Sequence, residues 1–95
     1  MEKSTINAFA TGLNESFLEE TTVYPNPFNE NINVDFAGNN AEKEIKIYNS
    51  LGQMVKTIVT SDSMTTIDLS DLTYGMYSMQ VIAGEDMKTI RIVKQ

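Results

Sequence analysis

From residue 31 onward, hydrophobic and polar positions alternate in short runs, and each run closes on a cluster of turn-forming residues. Ile32, Val34 and Phe36 alternate with Asn31, Asn33 and Asp35 ahead of Gly38-Asn39-Asn40. Ile45 and Ile47 alternate with Lys46 and Tyr48 ahead of Asn49-Ser50-Leu51-Gly52, where Gly52 suits the φ > 0 of a tight turn. A period of two puts successive side chains on opposite faces, so each run predicts a half-buried strand. Over residues 53–60 the pattern does not choose a face, because Val55, Thr57 and Val59 compete with Met54 and Ile58. Ile67 and Leu69 then alternate with Thr66, Asp68 and Ser70, and Asp71-Leu72-Thr73 is expected to make one helical turn before Gly75.

The last run is the clearest. Tyr77, Met79 and Val81 alternate with Ser78 and Gln80; Gly84-Glu85-Asp86 supplies turn chemistry; Ile90 and Ile92 alternate with Thr89 and Arg91. This reads as a β-hairpin. Its last apolar residue, Val93, lies two positions from Gln95, so the end of the chain is expected inside the sheet. Gly75 is expected to supply a backbone geometry that a β-carbon would strain, and Tyr77 to pack inward with its hydroxyl partnered. The six methionines read as core gap fillers.

Ahead of these runs stands Thr21-Thr22-Val23-Tyr24-Pro25-Asn26-Pro27-Phe28. Pro25 and Pro27 fix φ and remove two donors, and a residue before proline is pushed towards extended geometry. The segment is therefore expected to be a stiff, extended lead-in to an edge strand, with Tyr24 and Phe28 packed on the core. Ile6, Phe9, Leu13 and Phe17 fall at helical spacing, but Asn7, Thr11, Gly12, Asn14 and Ser16 are poor helix formers, so residues 1–20 read as a linker and residues 21–95 as one domain. Asn14-Glu15-Ser16 matches an N-glycosylation acceptor, a pattern common by chance. About seven short strands with regular turns predict an all-β chain, an immunoglobulin-like antiparallel β-sandwich.

Composition narrows the chemistry. With 41% hydrophobic and 21% charged residues the chain is of the ordinary globular kind. A net charge of −6 argues against sequence-independent nucleic-acid binding, which depends on neutralising phosphates. Histidine and cysteine are both absent, which removes the commonest general base, the commonest zinc ligand and any disulfide. No phosphate loop or nucleophile motif is present, so an enzyme is not expected. Asp62, Asp68 and Asp71 could contribute to a calcium site, but the twelve-residue loop pattern is missing; no metal or cofactor is expected. Residues 1–86 carry four lysines and thirteen acidic residues, net −9, whereas Lys88, Arg91 and Lys94 give residues 87–95 a charge of +3. In a strand, Lys88 and Lys94 point to one side and Arg91 to the other. Such charges discourage edge aggregation, and they also offer a receptor an electrostatic or strand-addition site.

Three stretches taken together resemble the type A C-terminal sorting domain of the type IX secretion system: Val23-Tyr24-Pro25-Asn26-Pro27-Phe28; Ile-Lys-Ile-Tyr-Asn-Ser-Leu-Gly-Gln-Met-Val at residues 45–55; and Leu69, Leu72, Gly75, Tyr77, Lys88, Ile90 and Val93. Thr11-Gly12-Leu13-Asn14 with Glu15 resembles the linker that leads into such domains. The resemblance implies an address label at the end of a secreted passenger protein, exported by a separate N-terminal signal and read by an outer-membrane translocon and its shuttle protein. It further implies a sortase that cuts the linker and attaches the passenger to the cell surface. Gly75, Tyr77, Lys88, Arg91, Val93 and Lys94 are then the candidates for translocon recognition, with Tyr24, Pro25, Asn26, Pro27 and Gly52 as structural motif residues. The competing reading is an accessory β-sandwich that binds carbohydrate or protein, with only Tyr24, Phe28, Tyr48 and Tyr74 as candidate aromatics and no tryptophan. A homodimer, if formed, is expected to pair through edge strands.

Overall fold

A computed structural model describes residues 18–95. The alternating runs become seven strands: β1 (Thr22–Tyr24), β2 (Asn31–Asp35), β3 (Lys43–Tyr48), β4 (Met54–Thr60), β5 (Met64–Asp68), β6 (Gly75–Ala83) and β7 (Asp86–Lys94). They form a three-stranded sheet in the order β1-β2-β5 and a four-stranded sheet in the order β4-β3-β6-β7. Every pair is antiparallel. The result is an all-β, immunoglobulin-like sandwich, as the strand spacing predicts.

The period of two sets which side chains meet between the sheets. Ile32 pairs with Ile67 in one sheet, while Ile45 pairs with Val81, Ile47 with Met79, and Tyr77 with Ile92 in the other. All are buried, together with Val34, Phe36, Leu69 and Ala83. Removing each of the larger of these side chains from water contributes roughly 1.5–3 kcal/mol before conformational entropy is counted, so this layer is the main source of stability. Leu18 also belongs to the core, at 2% exposure. The two sheets are tied at one side where the Lys56 ammonium on β4 donates to the carbonyl of Asp68 on β5, at 2.7 Å.

Register resolves the ambiguity of residues 53–60. Ile58 lies opposite Ile45 and Lys56 opposite Ile47, so both share the inward face, and Ile58 packs on the core while Val55 and Val59 face solvent. An irregularity between Ile47 and Tyr48 shifts the pairing so that Tyr48 meets Met54.

Four expectations are corrected. The stretch after β1 bends at residues 25–27 instead of running extended, and the Tyr24-Pro25 and Asn26-Pro27 peptide bonds are both cis. Phe28 is buried as expected, but Tyr24 is 43% exposed, because β1 is a three-residue edge strand on which Tyr24 faces away from the core side taken by Val23. Residues 71–73 do not make a helical turn: the Leu72 amide bonds the Leu69 carbonyl at 3.1 Å, which places a tight turn earlier, directly after β5. The methionines divide differently from the expectation too. Among the described residues Met79 alone fills the core, while Met54, Met64, Met76 and Met87 are exposed on outward positions of their strands.

Candidate functional site

The β6–β7 hairpin is the longest paired unit, running in unbroken register from Gly75 opposite Lys94 to Ala83 opposite Asp86. It starts on a backbone that only glycine adopts readily, since Gly75 has φ 142°. A β-carbon there would meet no neighbouring atom, so the constraint is torsional, not steric. Two residues on, Tyr77 is buried, and its hydroxyl donates to the Thr73 carbonyl at 2.6 Å with the Thr73 hydroxyl 3.3 Å away. Both residues thus adopt the folding geometry expected of them.

The basic residues of β7 separate by face, as the alternation predicts. Lys88 turns inward and donates to the carbonyls of Glu19 (2.9 Å) and Thr21 (3.5 Å), gripping the chain just before β1. Lys94 also turns inward, donates to the Asn29 carbonyl, and lies 5.7 Å from the Phe28 ring centre. Arg91 stands on the outer face beside Ser78 and is exposed. The three cations therefore form no single patch.

The stretch Tyr24-Pro25-Asn26-Pro27 is brought directly to this hairpin. Asn26 Nδ2 donates to the Arg91 carbonyl at 2.9 Å, and the Val93 amide donates to Asn26 Oδ1 at 3.1 Å. The Phe28 amide then donates to the Val93 carbonyl at 2.9 Å, and the Gln95 amide to the Phe28 carbonyl at 2.8 Å. In sequence Asn26 reads as one residue of a structural motif with Tyr24, Pro25 and Pro27; its carboxamide chemistry was the signal available for these contacts.

Gly52 sits apart, in the β3–β4 turn, at φ 84°. Its turn is organised by Asn49, whose Oδ1 accepts from the amides of Leu51 (2.9 Å) and Gln53 (3.0 Å) while the Gly52 amide donates to the Asn49 carbonyl (3.0 Å). Between this turn and residues 71–77 opens a groove of about 370 Å³, flanked by Leu51 and Tyr74, both more than 80% exposed. Thr11, Gly12, Leu13 and Asn14 lie outside the described residues.

Two charged groups depart from their ordinary titration. Burial lowers the pKa of Lys43, partly offset by the Asp62 carboxylate; its ammonium donates to the carbonyls of Asn39 (2.7 Å) and Ala41 (2.5 Å) and lies 4.5 Å from the Phe36 ring centre. This buried lysine carried no sequence signal beyond falling on the inward face of β3. Asp68 titrates below the usual carboxylate range because the Ser70 side chain and then the Ser70 amide bond its carboxylate. Among the described residues, no three acidic side chains gather as a metal site would require, and Asp62, Asp68 and Asp71 are not brought together.

Comparison with known proteins fits this arrangement. A search of curated proteins finds no match. Among solved structures, PorZ, described as an essential bacterial surface component of the type IX secretion system of Porphyromonas gingivalis, is similar with a TM-score of 0.66 and 19% identity. The similarity covers 84% of this chain and 12% of that one, so it speaks for a shared fold. The profile of the secretion system C-terminal sorting domain matches residues 22–95, which spans β1 to β7 and includes the Asn26 contacts with the hairpin. The chain belongs to the secretion system C-terminal sorting domain family, the sorting signal of type IX secretion.

Proposed function

We propose that residues 21–95 are a non-catalytic address label that directs a passenger, joined through a linker over residues 1–20 whose last residues, from Leu18, pack on the label, across the periplasm and through the type IX outer-membrane translocon to the cell surface or the medium. The family match over 22–95 carries this reading. The partners are the translocon with its shuttle protein, then a sortase that cuts near Thr11-Gly12-Leu13-Asn14 and attaches the passenger to the surface. Arg91 and the ordered hairpin around Gly75 and Tyr77 are the recognition elements on the exposed side, with Lys88, Val93 and Lys94 holding that hairpin in place. The inward engagement of both lysines supports such a division between the one exposed cation and the two structural ones. Any homodimer pairs through edge strands, away from residues 91–95 of β7, which are already bonded to Asn26 and Phe28.

A reporter fused ahead of residue 1 and produced in a type IX-competent host tests the reading. Surface or extracellular reporter that requires the translocon is expected, and removal of residues 87–95 is expected to abolish it. A reporter retained in the periplasm with the domain intact would rule the label out.

A further inference from the structure

The open edge of a sheet offers unpaired amides and carbonyls to any strand within reach. β7 is an edge of the four-stranded sheet. In its antiparallel ladder with β6, the peptide groups of alternate residues point away from that partner. Arg91, Val93 and Gln95 belong to the outward set, as their bonds to Asn26 and Phe28 show.

Asn26 meets this edge in a particular way. Its carboxamide donates to the Arg91 carbonyl and accepts from the Val93 amide, at 2.9 and 3.1 Å. A carbonyl and an amide two residues apart on one edge are what the N–H and C=O of a single residue in a parallel neighbouring strand would fill. Phe28 continues the mimicry with its own main chain, bridging in parallel opposite Lys94. The outward groups from the Arg91 carbonyl to the Gln95 amide are thereby filled by one side chain and one residue of backbone. Asn26 is itself exposed, so burial contributes little there beside these two bonds.

We propose that Asn26 is an edge lock: its carboxamide withholds the outer edge of β7 at residues 91–93 from pairing with another strand, above all with β7 of a second copy of the chain. A second copy is the fitting occupant because two β7 edges would meet through the same surface about a twofold axis, each supplying the donors and acceptors the other lacks. The β-branched Ile90, Ile92 and Val93 favour the strand conformation such pairing needs. With the lock closed, an approaching partner meets the Arg91 side chain instead of open backbone. The proposal is independent of any role in export.

Amide hydrogen exchange and sedimentation velocity on the whole chain test it. In the unaltered protein the Val93 and Gln95 amides are expected to be protected, whereas the outward amide of Thr89, with no partner among the described residues, exchanges freely. In Asn26→Ala at low concentration, Val93 exchange is expected to accelerate roughly tenfold, the scale of one lost hydrogen bond. The same variant is expected to sediment as a dimer as concentration rises, while the unaltered chain does not. Asn26→Asp keeps the acceptor for Val93 and loses the donor to Arg91, so Val93 is expected to stay protected there. Unchanged Val93 exchange in the alanine variant, or a strictly monomeric alanine variant with Val93 open, would overturn the proposal. Should that variant not fold, the unaltered chain decides: a Val93 amide exchanging as fast as Thr89 overturns the lock, and loss of Val93 protection in the aspartate variant contradicts the assigned atoms.

Discussion

The hydroxyl of Tyr77 donates to the carbonyl of Thr73 at 2.6 Å, spanning the bend through Gly75 and fixing where the hairpin starts. Tyr77→Phe keeps the ring in the core and removes this bond, leaving a part-buried carbonyl without its donor. A loss of about 1 kcal/mol is expected. For a domain of this size that is a fall of roughly 4–8 °C in Tm, measurable by circular dichroism. An unchanged Tm would show that the bond contributes nothing net.

Gly75 makes a separate, purely torsional prediction. At φ 142° an alanine is strained although no atom crowds its β-carbon. Gly75→Ala is expected to cost on the order of 1–3 kcal/mol. Urea unfolding should show a lower midpoint with the same slope, because the surface exposed on unfolding barely changes.

Leu18 tests how far the packed unit extends. Its side chain is 2% exposed within the core. Leu18→Ala is expected to destabilise by about 2–4 kcal/mol, the range for a buried leucine that leaves a cavity. A loss below half a kcal/mol would place Leu18 outside the cooperative unit.

Lys43 predicts an alkaline effect of definite sign. Burial lowers its folded-state pKa below the ordinary lysine value it has when unfolded. Between those two values the unfolded chain binds more protons than the folded one, so stability from this group rises with pH across that window. Lys43→Met removes the effect and leaves the Asn39 and Ala41 carbonyls without their donor. At neutral pH a loss of about 1–3 kcal/mol is expected. The stability difference between the unaltered chain and the variant should widen as pH approaches the ordinary lysine value, and a narrowing would reverse the assigned sign.

Asp68 gives the acid counterpart. Its folded pKa is depressed by Ser70, so its contribution is present above the unfolded carboxylate pKa and is lost as pH falls through the lower folded value. Comparing Asp68→Asn with the unaltered chain across the acid range should show the two stabilities converging there. Parallel acid curves would show that the Ser70 contact carries no proton linkage.

How much was legible in the sequence follows from how local each signal is. Ile45, Ile47, Tyr77, Met79 and Val81 declare their faces by alternation alone, and all are buried. Residues 53–60 were ambiguous because their face is set by the register with β3, which no local pattern encodes. The lead-in departs from its local pattern at Tyr24 for a related reason. Prolines restrict their neighbours locally, but the bend at residues 25–27 serves a contact with Arg91 and Val93, some 65 positions away. The exposed methionines show the converse limit, since hydrophobicity does not by itself place a side chain inside. Of the candidate recognition residues, Gly75 and Tyr77 were readable as folding elements. The inward grip of Lys88 on Glu19 depended on tertiary placement of the segment before β1.

That grip has a mechanical meaning. Tension applied to the chain ahead of Leu18 meets, in order, the buried Leu18 side chain, the Lys88 contacts with Glu19 and Thr21, and then only three residues of β1 paired with β2. Behind them stand the Asn26 and Phe28 bonds to β7, and behind those the nine-residue β6–β7 ladder. A pull from that side therefore peels the domain from its weakest strand inward, and the β6–β7 ladder is the last part to open.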